Sequence, residues 1–224
     1  MPGGGRPPLS SGQGFTLAEV LITLGIIGVV AALTMPALIS NHRKNVTLTK
    51  LKKVYSVMNQ AYGLAVVENG DFENWAMDVN NEGDPFQPSL LQPSLDWYNT
   101  YLAKHIQAKI APGNDENNKP LVVIYFADGS LLTCRMGFTT CIFYLDQKAY
   151  ENSKDGTNHF SFYGGRAAKV YFEPYAYQWD GTREDLMSEK PWMGCNANTD
   201  GHAYCAKLIQ YDGWEISDDY PFKF

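Results

Sequence analysis

The sequence predicts an α+β protein in which a long N-terminal helix precedes a head built on a small antiparallel β-sheet. Apolar residues run almost unbroken from Phe15 to Ile39, and an amphipathic pattern with a helical period continues to about Val67. Short apolar runs separated by turn residues then indicate strands. We therefore expect one helix over residues 15–67 and a globular α+β head over residues 68–224.

The apolar run is long enough to cross a membrane. Its 25 residues from Phe15 to Ile39 would extend about 37 Å as a helix, and the hydrocarbon core of a bilayer is about 30 Å thick. We expect the helix to span the membrane to about Ile39 and to be amphipathic beyond it. Glu19 is the single ionisable residue of the run. Its position alone leaves open whether the carboxylate has a partner or extends to the membrane surface.

A short motif opens the apolar run. It reads Gly14-Phe15-Thr16-Leu17-Ala18-Glu19, and Pro36 follows near the end of the run. This order of glycine, Phe, Thr-Leu, acid and proline resembles the class III signal of type IV pilins and type II secretion pseudopilins. The resemblance implies a pilin-like fold and a structural filament subunit. It does not separate a major pilin, a minor pilin and a pseudopilin.

The resemblance also implies how the N-terminus is processed. A prepilin peptidase would cut between Gly14 and Phe15, so that residues 1–14 form a cleaved leader and Phe15 is then N-methylated. Glu19 would face the N-terminal amine of a neighbouring subunit during assembly, and Pro36 would kink the helix. The implied partners are copies of this chain, related pilins or pseudopilins, the peptidase, an inner-membrane assembly platform with its motor ATPase, and the lipid bilayer. The implied location is the inner membrane, crossed once with the head outside the cytoplasm, and then the filament.

Charge is distributed unevenly along the chain. The formal net charge is −6, yet five basic residues and no acid lie between Arg43 and Lys53. From Ala61 onward there are 12 Lys and Arg against 23 Asp and Glu, a balance of −11. The acidic head argues against nucleic-acid binding. The basic stretch by itself favours a cytoplasmic head, but the cleavage motif and the paired cysteines together favour the opposite orientation.

Four cysteines fall in two close pairs. Beside a membrane-insertion signal, this favours two disulfides in an oxidising compartment over buried thiols. Cys134 ends one predicted strand and Cys141 begins its neighbour, which brings them within disulfide reach. A bridge from Cys195 to Cys205 would close a loop of 11 residues. His202 lies in that loop, but a zinc site there lacks a fourth ligand and a usual spacing.

The head predicts a hairpin with further strands and loops. The runs Leu121–Phe126 and Leu131–Cys134 flank the turn residues Asp128-Gly129, which indicates a β-hairpin. The remaining predictions are strands over 141–145 and 169–172, a short helix that begins at Ser94, and polar loops over 70–93, 112–119 and 146–159.

No motif of the sequence indicates catalysis. It contains no nucleophile elbow, zinc-protease helix or phosphate-binding loop, and its four histidines are scattered. The acidic loop over residues 146–159 has oxygen ligands of the kind that calcium prefers, but its spacing matches no EF-hand, so calcium is left open there. We expect that the protein binds no metal or cofactor and that it is not an enzyme. The alternatives are a membrane-tethered binding domain that never polymerises and an enzyme that uses the helix only as an anchor.

Overall fold

A computed structural model describes residues 14–75, 87–115, 117–135, 140–164 and 171–224. Over these residues the protein has an α+β, pilin-like architecture, in which a long helix, α1 (Leu17–Asn69), precedes a six-stranded antiparallel sheet. This confirms the predicted fold class. The strands are β1 (Ala108–Asn114), β2 (Pro120–Phe126), β3 (Leu131–Cys134), β4 (Cys141–Tyr144), β5 (His159–Gly164) and β6 (Phe172–Pro174). The shorter helices are α2 (Leu91–Tyr101), α3 (Gln147–Glu151), α4 (Arg183–Leu186) and α5 (Cys205–Tyr211).

The chain divides into an N-terminal unit that ends at His42 and a C-terminal unit over Arg43–Phe224. The described residues of the N-terminal unit are mostly apolar and exposed. Its helical residues supply the apolar part of α1, which is the one helix among the described residues with the length and hydropathy to cross a membrane. Its most apolar window has a mean hydropathy of 2.3, and none of that window is buried.

Within the C-terminal unit, α1 has one buried face. The buried residues recur every three or four positions, as the amphipathic pattern predicts. They are Thr47, Leu51, Val54, Met58, Ala61, Tyr62 and Ala65. The apolar members of this set share a core cluster with α2, α5 and the inward-facing residues of the sheet. This stretch of α1 is therefore part of the core.

The six strands follow one another in the sheet in chain order. Alternate residues enter the core, for example Val122 and Ile124 in β2, whereas Leu121 and Val123 belong to a second, small cluster. Because side chains alternate along a strand, the two clusters lie on opposite faces of the sheet.

Two polar side chains fix α1 to the sheet. The Lys50 ammonium donates a hydrogen bond to the carbonyl of Leu145, directly after β4, at 2.6 Å. Asn59 donates to the carbonyl of Phe172 at 2.7 Å and accepts from its N–H at 3.1 Å. Phe172 lies in the edge strand β6, so the Asn59 amide satisfies main-chain groups that lack a partner strand.

Several predicted segments were wrong in extent. The polar loop predicted from Pro112 begins inside β1, an edge strand, where a proline is tolerated. β5 begins at His159, the last residue of the predicted acidic loop, and was not predicted. The helix predicted from Ser94 begins earlier, at Leu91.

Of the strand predicted over 169–172, residues 169 and 170 lie outside the described residues, and β6 begins at Phe172. Residues 76–86 of the predicted loop over 70–93 also lie outside them.

Candidate functional site

The motif at the head of α1 forms a hydrogen-bonded cap. The Thr16 N–H donates to Glu19 Oε2 at 2.8 Å, the Thr16 hydroxyl donates to the same oxygen at 2.9 Å, and the Glu19 N–H donates to Thr16 Oγ1 at 3.2 Å. This reciprocal arrangement is a capping box, which satisfies main-chain donors that the first turn of a helix leaves unpaired. Glu19 therefore has a partner within its own chain.

The capping box was missed at the level of sequence, although its signal is present. The pattern Thr-x-x-Glu occurs at residues 16–19 directly before the apolar run. The cap explains why an acid is tolerated at the start of α1. It does not test the predicted contact between Glu19 and the amine of a neighbouring subunit, which stays a prediction.

Gly14 and Phe15 precede the helix and are exposed. The Phe15 side chain is 89% exposed. A Cβ atom added to Gly14 would meet no atom of the described residues within 4 Å. The described structure of the chain thus gives no steric reason for glycine at this position. Cleavage after Gly14 and methylation of Phe15 stay predictions.

The apolar part of α1 contains residues that weaken a helix. Gly25 and Gly28 each cost about 1 kcal/mol relative to Ala, and an added Cβ at either would meet no described atom within 4 Å. Pro36 lies inside α1 and has no N–H to donate to the preceding turn. A kink at Pro36 stays a prediction.

Hydroxyl groups in the same stretch are satisfied locally. Thr23 Oγ1 donates to the carbonyls of Glu19 and Val20 at 2.9 and 3.0 Å, and Thr34 Oγ1 donates to the carbonyl of Val30 at 2.9 Å. Such bonds to the preceding turn let threonine occupy a helix in an apolar environment. These threonines are therefore compatible with a membrane span.

Both disulfides join the pairs that the cysteine spacing predicts. Cys134 and Cys141 face each other across β3 and β4 with a Cα–Cα distance of 4.1 Å. Cys195 and Cys205 are joined across 4.7 Å, and Cys205 is the first residue of α5. All four side chains are buried. Because both cysteines near His202 are used in a disulfide, they are not available as zinc ligands.

The acidic loop directs its carboxylates at protein donors. Asp146 caps α3 by accepting from the Ala149 N–H at 2.8 Å. Asp155 pairs with the His159 imidazole and accepts from the His202 N–H. Burial raises the pKa of Asp155, but the interactions with His159 and His202 together outweigh it and hold that pKa below the usual range. Within the described part of the chain, no cluster of three or more His, Cys, Asp and Glu side chains is arranged to hold a metal ion.

Arg183 organises the C-terminal stretch. Its guanidinium donates to both carboxylate oxygens of Asp212 and both of Asp219, at 2.8–2.9 Å. Hydrogen bonds to Asp212, followed by those to Asp219, raise the pKa of Arg183, and the same pairing lowers the pKa of Asp219 to about 2. We interpret this cluster as structural, because it joins α4 to the segment that follows α5.

Two family models match the chain. The model described as a family of unknown function, DUF6613, matches residues 37–224, and the model of the prokaryotic N-terminal methylation motif matches residues 9–35. The second match supports the predicted type IV pilin-like prepilin signal. A signal of this type implies prepilin peptidase processing and assembly with pilins in general, and with the apolar helix it fits a membrane-anchored protein. Neither the curated proteins nor the solved structures gave a match.

Proposed function

Because the chain belongs to DUF6613, a family of unknown function, and opens with a type IV pilin-like prepilin signal, we propose that it is a filament subunit. The filament is a type IV pilus or a type II secretion pseudopilus that assembles from the inner membrane. The single observation that carries this proposal is the methylation motif over residues 9–35. In this proposal the peptidase removes residues 1–14, and Phe15 becomes the methylated N-terminus.

The exposed glycines of α1 support the proposal. Gly25 and Gly28 weaken a helix, and no described atom lies close enough to require their small size. Small residues on a membrane helix allow another helix to approach closely. A filament core in which the apolar helices of neighbouring subunits bundle would use both glycines.

Glu19 has two candidate roles that make different predictions. As a capping residue it stabilises the first turn of its own helix. As an assembly residue it neutralises the Phe15 amine of an adjacent subunit, where an unpaired charge in a low-dielectric environment is heavily penalised. We propose that the assembly role dominates, since a neutral residue can also cap a helix.

Two substitutions separate these roles. Glu19→Gln keeps the cap, because glutamine also closes a capping box, but it loses the charge. Thr16→Val removes the capping hydroxyl and keeps the charge. We expect sheared-filament yield to fall at least about tenfold for Glu19→Gln, and less for Thr16→Val, at equal amounts of membrane-inserted protein. The tenfold figure corresponds to only about 1.4 kcal/mol. If Glu19→Gln assembles like the wild type while Thr16→Val does not, the acid is only a cap.

The mature N-terminus gives an independent test. Mass spectrometry of protein from its native membrane should find a chain that begins at a methylated Phe15, and Gly14→Val should leave the leader attached. If the native protein keeps its leader and forms no filament, the membrane-tethered binding domain is favoured instead. An enzyme that uses α1 only as an anchor would likewise be indifferent to Glu19→Gln.

A further inference from the structure

A concave surface lies on the face of the sheet opposite the main core. Its floor consists of outward-facing residues of β2–β5, such as Thr133, Tyr144 and Ser161. Its rim consists of the β1–β2 turn, α3, and loop residues near Trp192 and His202. The cavity has a volume of about 710 Å³, within the range of about 300–1,000 Å³ that small-molecule sites occupy. It is therefore large enough to hold a ligand of several rings.

Aromatic rings line the cavity together with its polar groups. Tyr144, Tyr150, Tyr175 and Trp192 all line it. The Trp192 side chain is 76% exposed. The outward face of a sheet in water normally carries polar residues, and an exposed Trp contributes little to folding. Tyr144 and Tyr150 pack against the small apolar cluster on this face, and Tyr175 packs against the main core. Trp192 is better explained as a contact residue for a ligand, since Trp and Tyr dominate the energetics of binding sites.

The backbone at Trp192 is held in a strained conformation. Its φ is 69°, in the left-handed region that favours glycine. The Trp192 N–H donates to the carbonyl of Asp200 at 2.9 Å, and the Ala203 N–H donates to the carbonyl of Trp192 at 3.4 Å. Strain that is held by surrounding hydrogen bonds concentrates at functional sites. The exposed indole is thus presented on a fixed backbone.

The charges of the cavity limit the class of ligand. Asp115, Glu151 and Asp155 line it, against the single cation Arg135 among its described Lys and Arg residues. The surplus of carboxylates disfavours phosphates and nucleic acids, and the polar groups disfavour a lipid chain. A cationic peptide would be attracted by the same surplus, so its salt-sensitive binding is the alternative outcome of the test below. A neutral ligand rich in hydroxyl groups meets none of these penalties.

We propose that this cavity binds a neutral oligosaccharide. The flat face of a sugar ring carries C–H groups that pack against an aromatic ring such as Trp192. Its hydroxyl groups both donate and accept hydrogen bonds, which suits carboxylates, imidazoles and hydroxyls. Asp155 is positioned for this role, because His159 and the His202 N–H fix its carboxylate. The site uses residues of the C-terminal unit alone, so it does not depend on filament assembly.

The test uses the full mature chain in lauryldimethylamine oxide, a detergent without a sugar headgroup. An array of neutral oligosaccharides identifies the best binder, and its Kd is then measured by calorimetric titration. Trp192→Ala should raise the Kd about tenfold or more, whereas Trp192→Phe should retain most of the affinity. Tyr177→Ala is the matched control, because Tyr177 is 54% exposed and does not line the cavity. Near-UV circular dichroism checks that each variant is folded.

A second variant covers the case in which Trp192→Ala fails to fold. Ser161→Tyr places a ring on the cavity floor at an outward-facing strand position, where an aromatic residue is tolerated, and it should abolish binding. Wild-type affinity should also be nearly independent of salt, because the ligand is neutral. The proposal is overturned if no array member binds with a Kd below about 1 mM, or if Trp192→Ala and Ser161→Tyr both bind like the wild type. It is equally overturned if a Lys-rich peptide occupies the cavity in a salt-sensitive manner.

Discussion

Gly28 and Gly194 illustrate how the N-terminal unit differs from the C-terminal unit. A Cβ added to Gly28 would meet no described atom within 4 Å, whereas one added to Gly194 would lie 1.8 Å from the carbonyl oxygen of Ser188. The packing of the C-terminal unit therefore dictates glycine at position 194. No described contact dictates it at position 28.

The same contrast holds for large apolar side chains. Leu33 is 75% exposed and Leu38 is 70% exposed in the N-terminal unit, whereas Leu51 and Leu102 are completely buried in the C-terminal unit. Burial stabilises a leucine by about 1.5–3 kcal/mol, so the exposed residues of α1 are apolar for a reason outside the folded monomer. Changes in the C-terminal unit should consequently alter stability, and changes in the N-terminal unit should alter membrane insertion or assembly.

The largest effect is expected at Gly194. Gly194→Ala forces a methyl group into the Ser188 carbonyl, and overpacking at a main-chain atom should cost about 3 kcal/mol of unfolding free energy, the upper end of the usual range. Urea denaturation of the detergent-solubilised chain measures it. An alanine that is tolerated within about 0.5 kcal/mol would show that the loop can move.

Gly28→Ala is the counterpart in the N-terminal unit. It should leave the urea midpoint unchanged and lower filament yield, because it adds a methyl group where helices of different subunits are proposed to meet. Gly63→Ala is the matched control, since Gly63 also lies in α1 without a close neighbour. Equal filament yields for Gly28→Ala and Gly63→Ala would contradict the proposal that Gly28 lies where helices of different subunits meet.

The disulfides are expected to differ in their contributions. Replacing Cys195 and Cys205 with alanine should cost about 2–4 kcal/mol, because the bridge holds a stretch with little regular structure to α5. Replacing Cys134 and Cys141 should cost less, since the hydrogen bonds between β3 and β4 already align these residues. Thermal unfolding of the two double variants compares them. The opposite ranking would mean that the hairpin depends on its bridge.

Local signals explain which elements could be predicted from the sequence. The apolar run, the Asp128-Gly129 turn and the cysteine spacings are each contained in one contiguous stretch of sequence, and all three correspond to observed features. β1 was missed because Pro112-Gly113 is typical of a turn, and only its position at the sheet edge allows it to be a strand. The alternation of Phe160 and Phe162 in β5 was present but was overlooked beside the acidic loop.

Long-range contacts could not be predicted. Arg183 contacts Asp212 and Asp219 across sequence separations of 29 and 36 residues, and no periodic pattern encodes those contacts. The concave surface beside Trp192 combines strands β2–β5 with loops that are distant from them in sequence. In the N-terminal unit, by contrast, the motif and its capping box are contiguous, so the sequence contains a local signal for both, although only the motif was recognised from it.

Substitution of Asn59 should lower the unfolding free energy by a smaller amount, through contacts with a single residue of β6. Asn59→Leu leaves the buried N–H and C=O groups of Phe172 without the amide that pairs with them, at a cost of about 1–3 kcal/mol. Gln60→Ala is the control from the same turn of α1. The Gln60 side chain is exposed and donates a hydrogen bond to Ser56, which is also exposed. It should change the unfolding free energy by less than about 0.5 kcal/mol. Equal effects would show that β6 does not need the Asn59 amide.

The smallest effect concerns the ion pair that joins α1 to the β2–β3 turn. Lys53 Nζ lies 2.8 Å from Asp128 Oδ2, and both groups remain partly exposed. Burial raises the pKa of Asp128, but hydrogen bonds from Lys53 and Ser130 outweigh it and lower that pKa to about 2, from an ordinary value of 3.8. A carboxyl whose pKa is lower in the folded state stabilises the fold above its unfolded pKa, and this contribution is lost as the pH falls towards the folded pKa. The stability of the C-terminal unit should therefore decrease between about pH 4 and pH 2, and Asp128→Asn should reduce the slope of unfolding free energy against pH over that interval.

Membrane insertion of α1 should not change with Asp128→Asn, because the pair lies in the C-terminal unit. An unchanged slope in Asp128→Asn would show that other carboxylates, such as Asp155 and Asp219, account for the acid sensitivity.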